Sequence, residues 1–335
     1  MPKKRVTLAD VALRAGLSTT AASMILTGKQ DTRLSADAHA KVHEAANALG
    51  YRPNVAARAL RTDKTRSIAL ISDYVATTRF ASGLIRGAIA AAEEARYVVL
   101  VLETGGDPNR EMKAVQAALD RQVDGVIFAA MRAREVTVPD VSINVPVVML
   151  NSKNQRYPLT ILPDEYQGGR DAVRLLVEAG ITEGIVLIGH NAEAEQGRFR
   201  SEMISKRLAG IRDAMSEAGA SFVKELSAWD WEPDQGYVLT QSLLIHTKPR
   251  ALLCLNDRLA FGAYQALGER GFSVPKDVAV VSFDNDEIAS YLRPGLTTIA
   301  LPHEEMGQAA VKLVLGRNPV SLVKIPMPIM RRGSV

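Results

Sequence analysis

The chain has 335 residues, of which 47% are hydrophobic and 23% are charged. This length exceeds one ordinary domain, so the sequence predicts two or three folded units with sizeable apolar cores. No apolar run is long enough to cross a bilayer, and the N-terminal residues lack the apolar stretch of a secretory signal. We therefore expect a cytoplasmic protein with no membrane partner.

The single cysteine, Cys254, excludes an intrachain disulfide and a cysteine-based metal site. It lies in the apolar run 251–255, where a buried, unreactive thiol is favoured over a nucleophile or a metal ligand. The sequence therefore predicts no metal and no cofactor.

The net charge of +4 is unevenly distributed along the chain. Residues 1–66 hold 12 Lys and Arg against 5 Asp and Glu, a net charge of +7, whereas the remaining 29 basic and 32 acidic residues give −3. This asymmetry indicates a polyanionic partner for the N-terminal segment. A solubilising basic tail is the alternative, but such a tail would lack the helical apolar spacing described next.

The first 50 residues predict three short helices. Thr7 and Asp10 match a capping box that begins the first helix, and Gly16 ends it. Ser18 caps a second helix over 19–26, and a third helix over 36–49 stops at the next glycine. Two short helices joined by a glycine-containing turn form a helix-turn-helix, whose second helix enters the major groove of DNA.

The segment 54–61 combines an Asn cap with strong helix formers but has only about two turns. Isolated helices shorter than about 12 residues are marginal in water, so we expect this segment to order only against DNA and a partner subunit.

These N-terminal residues resemble the headpiece of the LacI/GalR family of bacterial transcription regulators. The matching positions are residues 6–12, 15–18, Ser23 and 50–60. The resemblance implies that Thr19 and Thr20 face base edges and that residues 54–60 form a hinge helix, paired across a homodimer in the minor groove, in which Leu60 is wedged into a base step. The residues that it places on phosphates or in the hinge contact are Thr7, Leu8, Ser18, Ser23, Asn54 and Ala57.

Two positions of the second helix depart from many family members, which carry an Arg or Asn able to read a base. This chain has Met24 and Thr27, and neither side chain can make the bidentate contact to guanine that arginine makes. Met24 is interpreted equally well as a base contact or as a core filler. The operator sequence therefore cannot be transferred from a relative.

From residue 66 onward, short apolar strands alternate with amphipathic helices. The predicted strands are 67–72, 98–102, 125–129, 147–150, 184–188, 251–255 and 278–283, and the predicted helices are 80–95, 110–121, 165–179, 201–218, 234–245, 257–270 and 304–315. Such alternation indicates parallel sheets with right-handed crossovers. About 265 residues exceed what one doubly wound sheet needs, so we expect two similar lobes.

The fold predicted for the whole chain is an α-helical helix-turn-helix headpiece followed by a two-lobed α/β core. The core resembles the effector-binding core of this family and the periplasmic sugar-binding proteins, with two parallel doubly wound sheets. The predicted domains are a headpiece over 1–52, a hinge and linker over 53–65, and a core over 66–335. Crossings near 162, 289 and 319 give an N-lobe of 66–162 plus 289–319 and a C-lobe of 163–288 plus 320–335.

Polar residues that directly follow predicted strands are the candidates for ligand binding. Asn256 and Asp257 follow 251–255, and Asp284 follows 278–283. Carboxyl ends of parallel strands line the cleft of such sheets, and planar carboxylates and amides bind adjacent hydroxyls. From spacing alone, each aspartate is equally well interpreted as a helix cap.

The family resemblance adds further effector-binding candidates. It implies that Arg207 binds the effector and that Trp231 stacks on a sugar face. Phe80 and Arg132 are weaker candidates, named only because they follow the first and third predicted strands. Trp229 is interpreted as a packing residue.

Similar sheets occur in dehydrogenases and kinases, but the sequence lacks the signatures of these and other enzymes. The glycine pairs at 105–106 and 168–169 do not extend to a phosphate-binding loop, 303–307 lacks the second histidine of a zinc protease, and Ser82 lacks the glycine of a nucleophile elbow. We therefore expect a non-enzymatic regulator.

The sequence as a whole predicts a repressor of carbohydrate-utilisation genes that acts as a homodimer on pseudo-palindromic operator DNA. A sugar-like effector in the cleft would control its DNA affinity by unfolding the hinge. A purine or nucleoside effector is the alternative, and a free sugar-binding protein is disfavoured by the attached headpiece. A tetramer is disfavoured because no long leucine heptad follows residue 316. The pattern does not decide between an inducer and a corepressor.

Overall fold

The computed structural model describes residues 6–27, 34–52, 64–74, 79–135, 138–191, 202–316 and 321–335. The chain divides into two compact units, Met1–Arg66 and Ser67–Val335. Among the residues within these ranges, no helix has the length and apolarity needed to cross a membrane.

The first unit, here called the headpiece, contains three helices with predicted caps: α1 (Leu8–Ala15), α2 (Thr19–Leu26) and α3 (Ala36–Leu49). Gly16 and Gly50 end α1 and α3 in the left-handed conformation, at φ 67° and 63°. The helices share a small apolar core, formed by Val11, Ala12, Ala15, Ala22, Ile25, Ala38, Val42, Ala45 and Ala46. These segments confirm the predicted helix-turn-helix.

The second unit, here called the core, contains two six-stranded sheets. The first sheet consists of β1 (Ser67–Ser72), β2 (Val98–Glu103), β3 (Gly125–Glu135), β4 (Val147–Lys153), β5 (Thr160–Pro163) and β11 (Leu322–Ile325), in the order β11-β5-β4-β3-β1-β2. The second consists of β6 (Ile185–Ile188), β7 (Phe222–Leu226), β8 (Ala251–Cys254), β9 (Ala279–Asp284), β10 (Thr297–Ala300) and β12 (Ile329–Met330), in the order β12-β10-β9-β8-β6-β7. All described pairings are parallel except that of β10 with β12.

Helices cover both faces of each sheet, as a doubly wound fold requires. Their bounds are α4 (Arg79–Glu94), α5 (Pro108–Asp120), α6 (Glu165–Glu178), α7 (Glu202–Glu217), α8 (Pro233–His246), α9 (Asp257–Glu269), α10 (Glu287–Tyr291) and α11 (His303–Val314). In the first lobe α4 and α11 share one apolar cluster while α5 packs on the opposite face. In the second lobe α6 and α7 lie on one face, and α8 and α9 on the other. Parallel strands buried on both faces explain their continuous Val, Ile and Leu runs.

Two of the three predicted lobe crossings lie elsewhere in the structure. The first matches, because β5 belongs to the first sheet and α6 packs in the second lobe. The second was expected near Ala289, but β10 pairs with β9, so the crossing lies between Ala300 and His303. The third was expected near 319, but β11 pairs with β5, which moves it to the stretch between Ile325 and Ile329. Short strands without a strong apolar run concealed both crossings.

Candidate functional site

The exposed side of α2 forms the candidate DNA-reading surface of the headpiece. Ala22 and Ile25 are buried against α1 and α3, and this orients Thr19 and Thr20 into solvent. Both threonines lie in the first turn, where their hydroxyl groups can reach a groove that the helix end enters. Ser23 is half-buried on the following turn. The predicted base-reading residues are therefore accessible.

Two caps fix the N-terminal ends of the first two helices. The Thr7 hydroxyl accepts from the Asp10 amide at 3.3 Å, and the Asp10 carboxylate accepts from the Thr7 amide at 2.8 Å. Ser18 accepts from the Ala21 amide at 3.1 Å. Helix N-termini present free amides and a positive dipole end, which suits phosphate oxygens. Leu8, also expected near phosphates, is half-buried against the headpiece core.

The C-terminal end of α2 accounts for the role of Thr27. Its hydroxyl donates to the Ser23 carbonyl at 2.7 Å and lies 3.2 Å from the Met24 carbonyl, so it serves its own helix. Met24 is half-buried, which leaves both of its interpretations open. The hinge residues Asn54, Ala57 and Leu60 lie outside the described residues.

In the core, four charged side chains meet at the carboxyl ends of the strands; we call them the cleft cluster. They are Glu165, Arg207, Asp257 and Asp284. Glu165 begins α6 shortly after β5, Asp257 begins α9 after β8, and Asp284 ends β9. The structure thus brings together three of the predicted effector residues and adds Glu165.

Arg207 is the central cation of this cluster, with 1% of its surface exposed. Its Nε and Nη2 donate to the two Glu165 oxygens at 2.6 and 2.9 Å, and its Nη1 donates to the Leu255 carbonyl at 2.7 Å. The guanidinium also lies 4.2 Å from the centre of the Phe283 ring. Burial opposes the charge on Arg207, but the attraction of Glu165 outweighs it and raises the arginine pKa.

Close packing of α6 on α7 makes this ion pair possible. A β-carbon on Gly169 would lie 2.2 Å from the Arg207 carbonyl oxygen, and one on Gly210 would lie 2.0 Å from the Tyr166 carbonyl oxygen. Any larger residue at either position would push the two helices apart. These two glycines therefore let Glu165 reach Arg207.

Asp284 carries the strongest electrostatic perturbation of the cleft cluster. Burial raises the pKa of Asp284 to about 8, against the stabilising charge of Arg207 and with further repulsion from Asp257 and Glu165. Its Oδ1 lies 3.9 Å from Arg207 Nη2, beyond hydrogen-bond distance. The residue has φ 102°, a left-handed conformation that costs energy for a non-glycine residue. Raised pKa and strained backbone together are typical of a binding site.

Asp257 is completely buried and uses both carboxylate oxygens inside the protein. Oδ1 accepts from the Ser282 hydroxyl, and Oδ2 accepts from the Asp286 amide at 2.7 Å. Burial raises the pKa of Asp257 to about 6 in spite of these bonds. These contacts give Asp257 a positioning role for the loop after β9, and it is not the cap of α9.

Asn256 caps α9, a role that the sequence suggested for the aspartates and not for this residue. Its Oδ1 accepts from the Leu259 amide at 2.8 Å, and its Nδ2 donates to the Trp231 carbonyl at 3.0 Å. Trp231 in turn donates from Nε1 to the Gly189 carbonyl at 2.9 Å and is half-buried. Asn256 therefore positions the indole that is expected to stack on a ligand. Trp229 is instead 67% exposed, so its predicted packing role is wrong.

The first lobe contributes a small cavity at the carboxyl ends of β1, β2 and β3. The polar residues that line it are Ser72, Asp73, Thr104 and Glu111. The Thr104 hydroxyl donates to the Ser72 carbonyl at 3.1 Å and fixes the rim of the cavity. The side chains of Phe80, in the first turn of α4, and Arg132, on β3, lie outside the described part of the structure.

Glu165 is the functional candidate that sequence reasoning missed. The strand before it, β5, has only two aliphatic residues between a threonine and a proline, and this apolar run is too short to predict a strand. The position of Glu165 at a strand end therefore left no visible pattern. Among the residues that the structure describes, no three His, Cys, Asp or Glu side chains are arranged to hold a metal ion.

Comparisons with known proteins match both units. The profile of bacterial regulatory proteins of the lacI family matches residues 7–54, and a periplasmic binding protein-like domain matches residues 173–335. The ribose operon repressor of Haemophilus influenzae is 30% identical, with 98% of each chain covered. The regulator DegA of Bacillus subtilis is 31% identical, over 90% of this chain and 88% of that one.

Solved structures give the same assignment. The lac repressor dimer bound to operator and the anti-inducer ONPF is 27% identical, with a TM-score of 0.77 and 99% of each chain covered. A LacI-family regulator from Rhizobium etli is 28% identical, with a TM-score of 0.71 over 80% of this chain and 98% of that one. Helix-turn-helix, two-lobed core and full-length similarity agree, and the chain belongs to the LacI family of bacterial transcriptional regulators.

Proposed function

We propose that this regulator represses genes of carbohydrate utilisation and that a sugar bound at the cleft cluster controls its affinity for operator DNA. The observation that carries the proposal is the buried carboxylate of Asp284. It lies at the end of β9 and accepts no hydrogen bond from the described side chains, and Asn256, which follows the neighbouring strand β8, holds the half-buried Trp231. Carboxylates bind paired sugar hydroxyls, and indoles stack on sugar faces. The similarity to ribose operon repressors supports this class of effector.

In the proposed mechanism the protein carries out no chemical step. Thr19 and Thr20 read base edges, with Met24 beside them, while Thr7, Leu8, Ser18 and Ser23 position the headpiece on phosphates. Asn54, Ala57 and Leu60 form the hinge contact with the minor groove. Two copies bind a pseudo-palindromic operator, as expected for a helix-turn-helix protein and in line with the lac repressor dimer.

Effector binding would change how the two lobes close around the cleft cluster. We infer that this change reaches the headpiece through residues 61–66 and alters folding of the hinge. Arg207 and Asp284 would contact the effector, Trp231 would stack on it, and Asn256 and Asp257 would hold those groups in place. Phe80 and Arg132 are proposed contacts from the first lobe.

A purine effector is the second candidate. The HTH-type transcriptional repressor PurR of Vibrio parahaemolyticus is 29% identical over 93% of this chain and 91% of that one. An indole stacks on a purine as well as on a sugar. Sugar and purine effectors therefore have to be separated by experiment.

The test is a ligand screen on the full chain. Thermal unfolding would be followed with neutral sugars, sugar phosphates and purine bases, and each compound that raises the melting temperature would be added to operator-binding titrations. Operator DNA would be selected from random duplexes. The proposal expects a neutral sugar to raise the melting temperature and to change operator affinity at least about fivefold. If only purines raise the melting temperature and change operator affinity, the effector is a purine and the sugar proposal is wrong.

A further inference from the structure

Glu165 occupies the Nε–Nη2 edge of the Arg207 guanidinium. Three of the donor atoms of Arg207 already have partners: Glu165 takes Nε and Nη2, and the Leu255 carbonyl takes Nη1. Both side chains are buried, at 2% and 5% side-chain exposure. A phosphate or carboxylate therefore cannot use the Nε–Nη2 bidentate contact unless Glu165 first leaves, and Asp284 lies 3.9 Å from the remaining Nη2 donor.

The acidic residues around the Arg207–Glu165 pair also make the cleft cluster unfavourable for an anion. Asp284 lies 3.9 Å from Arg207, and the charges of Asp257, Glu165 and Asp286 each add to the pKa rise of Asp284 after burial. The cleft cluster therefore holds three carboxyl groups and one guanidinium. An anion that displaced Glu165 from Arg207 would leave the buried Glu165 carboxylate without its cation, and Asp257 and Asp284 offer no positive charge in its place.

The same arrangement is rich in hydrogen-bond acceptors. Neither carboxyl oxygen of Asp284 accepts a hydrogen bond from the described residues. Each carboxylate oxygen of Glu165 accepts one bond from Arg207, and such an oxygen can accept two. A ligand that fills these sites must offer hydroxyl or amine donors. The glycine contacts between α6 and α7 hold Glu165 in this position.

We propose that Glu165 determines effector charge: it reserves Arg207 for itself, so that the cleft accepts neutral, donor-rich compounds and rejects phosphorylated or carboxylated ones. The inference rests on the proposed function for the location of the site. The inference goes beyond the proposed function because it assigns Glu165 as a residue that determines effector specificity.

The experiment compares matched probes on the full chain by calorimetry. An aldose, its amino sugar, its uronate and its phosphate differ in charge but share most of the ring, and inorganic phosphate serves as a probe that needs no knowledge of the effector. The variants are Glu165→Gln, which keeps the side-chain size, and Glu165→Ala. Glu178→Gln is the control, because Glu178 lies on the same helix but is exposed and pairs with Arg174 and Arg331.

Wild-type protein and Glu178→Gln are expected to bind no inorganic phosphate and to bind the uronate and the sugar phosphate at least about 100-fold more weakly than the neutral parent. Glu165→Gln is expected to gain phosphate binding. In this variant the affinity difference between the neutral sugar and its charged derivatives should shrink at least about tenfold. Phosphate binding by wild-type protein would overturn the inference, as would a folded Glu165→Gln variant that gains none.

The two proposals fail differently. If no sugar or purine binds wild-type protein but Glu165→Gln gains phosphate binding, the sugar effector is wrong and the role of Glu165 stands. If a sugar phosphate or uronate binds wild-type protein as tightly as the neutral sugar, the role of Glu165 is wrong and the effector site stands. Should Glu165→Ala not fold, the wild-type and Glu165→Gln titrations decide the question without it.

Discussion

The headpiece and the cleft cluster place their functional side chains in opposite ways. In the headpiece, exposed threonines lie on a helix whose caps come from residues three positions away. In the cleft cluster, the buried charges come from residues that are far apart in the sequence. Glu165 and Arg207 are 42 positions apart, and Arg207 and Asp284 are farther apart still. Local hydrogen bonds suffice to orient a surface that DNA will cover. A site for a small molecule needs long-range packing that excludes water and perturbs charges.

The largest effect is expected where the cleft pair is broken. Arg207→Ala leaves Glu165 buried without its cation and should lower the free energy of unfolding of the core by about 3 to 5 kcal/mol. Arg212→Ala, on the same helix with an exposed side chain, should cost less than about 1 kcal/mol. Denaturant titration measures both values. Similar losses for the two variants would contradict the contrast between buried and exposed pairs.

Asp284→Asn tests the electrostatic strain of the cleft. The folded-state pKa of about 8 lies above the ordinary value of 3.8, so the native state holds this proton more tightly than the unfolded chain does. Wild-type stability should therefore fall as pH rises from about 4 to about 8, and the asparagine variant should lack that part of the fall. The difference should reach roughly 5 kcal/mol at pH 8, at about 1.4 kcal/mol for each unit between the folded and unfolded pKa. Parallel pH profiles for both proteins would refute the raised pKa.

A matched pair of caps separates stability from DNA binding in the headpiece. Ser18 caps α2 and Ser35 caps α3 by the same bond, with oxygen to amide distances of 3.1 and 3.2 Å. Replacing either serine by alanine should cost about 1 kcal/mol of headpiece stability. Only Ser18→Ala should also weaken operator binding, because only Ser18 begins the recognition helix. Equal operator affinities for the two variants would remove Ser18 from the interface.

The smallest effects should distinguish base contacts from phosphate contacts. Thr20→Ala is expected to lose about 1 kcal/mol on the selected operator and to relax the preference at one base pair. Ser23→Ala should weaken binding to all duplexes to a similar extent and leave that preference unchanged. Anisotropy titrations against single-base operator variants measure both. If Thr20→Ala weakens all duplexes equally, Thr20 is a phosphate contact.

Sequence reasoning succeeded where local physics dominates. The capping box at Thr7, the Ser18 cap and the left-handed Gly16 each depend on neighbours within a few residues, so their helices could be placed almost to the residue. The buried parallel strands were visible as apolar runs. β5 and β10 begin with threonine and contain only short apolar stretches, so they have no such signal. Because such strands were not predicted, two lobe crossings were placed wrongly and Glu165 was not identified as a candidate.

The cleft cluster could be predicted as a set of candidates but not as a geometry. Asp284 and Asn256 were found because they follow apolar strands. The sequence pattern left two roles open, ligand contact and helix cap, and the structure makes Asn256 a cap and Asp257 an internal acceptor. The pairing of Arg207 with Glu165 depends on glycine contacts between two helices, which no local pattern encodes.

The most direct test of the account is operator affinity with and without effector, in wild-type protein and in Asp284→Asn. The effector is the compound that raises the melting temperature most in the screen. We predict that wild-type affinity changes at least about fivefold, while the variant binds operator equally well without effector and does not respond to it. An equal response in both proteins would contradict the claim that the cleft cluster controls DNA binding.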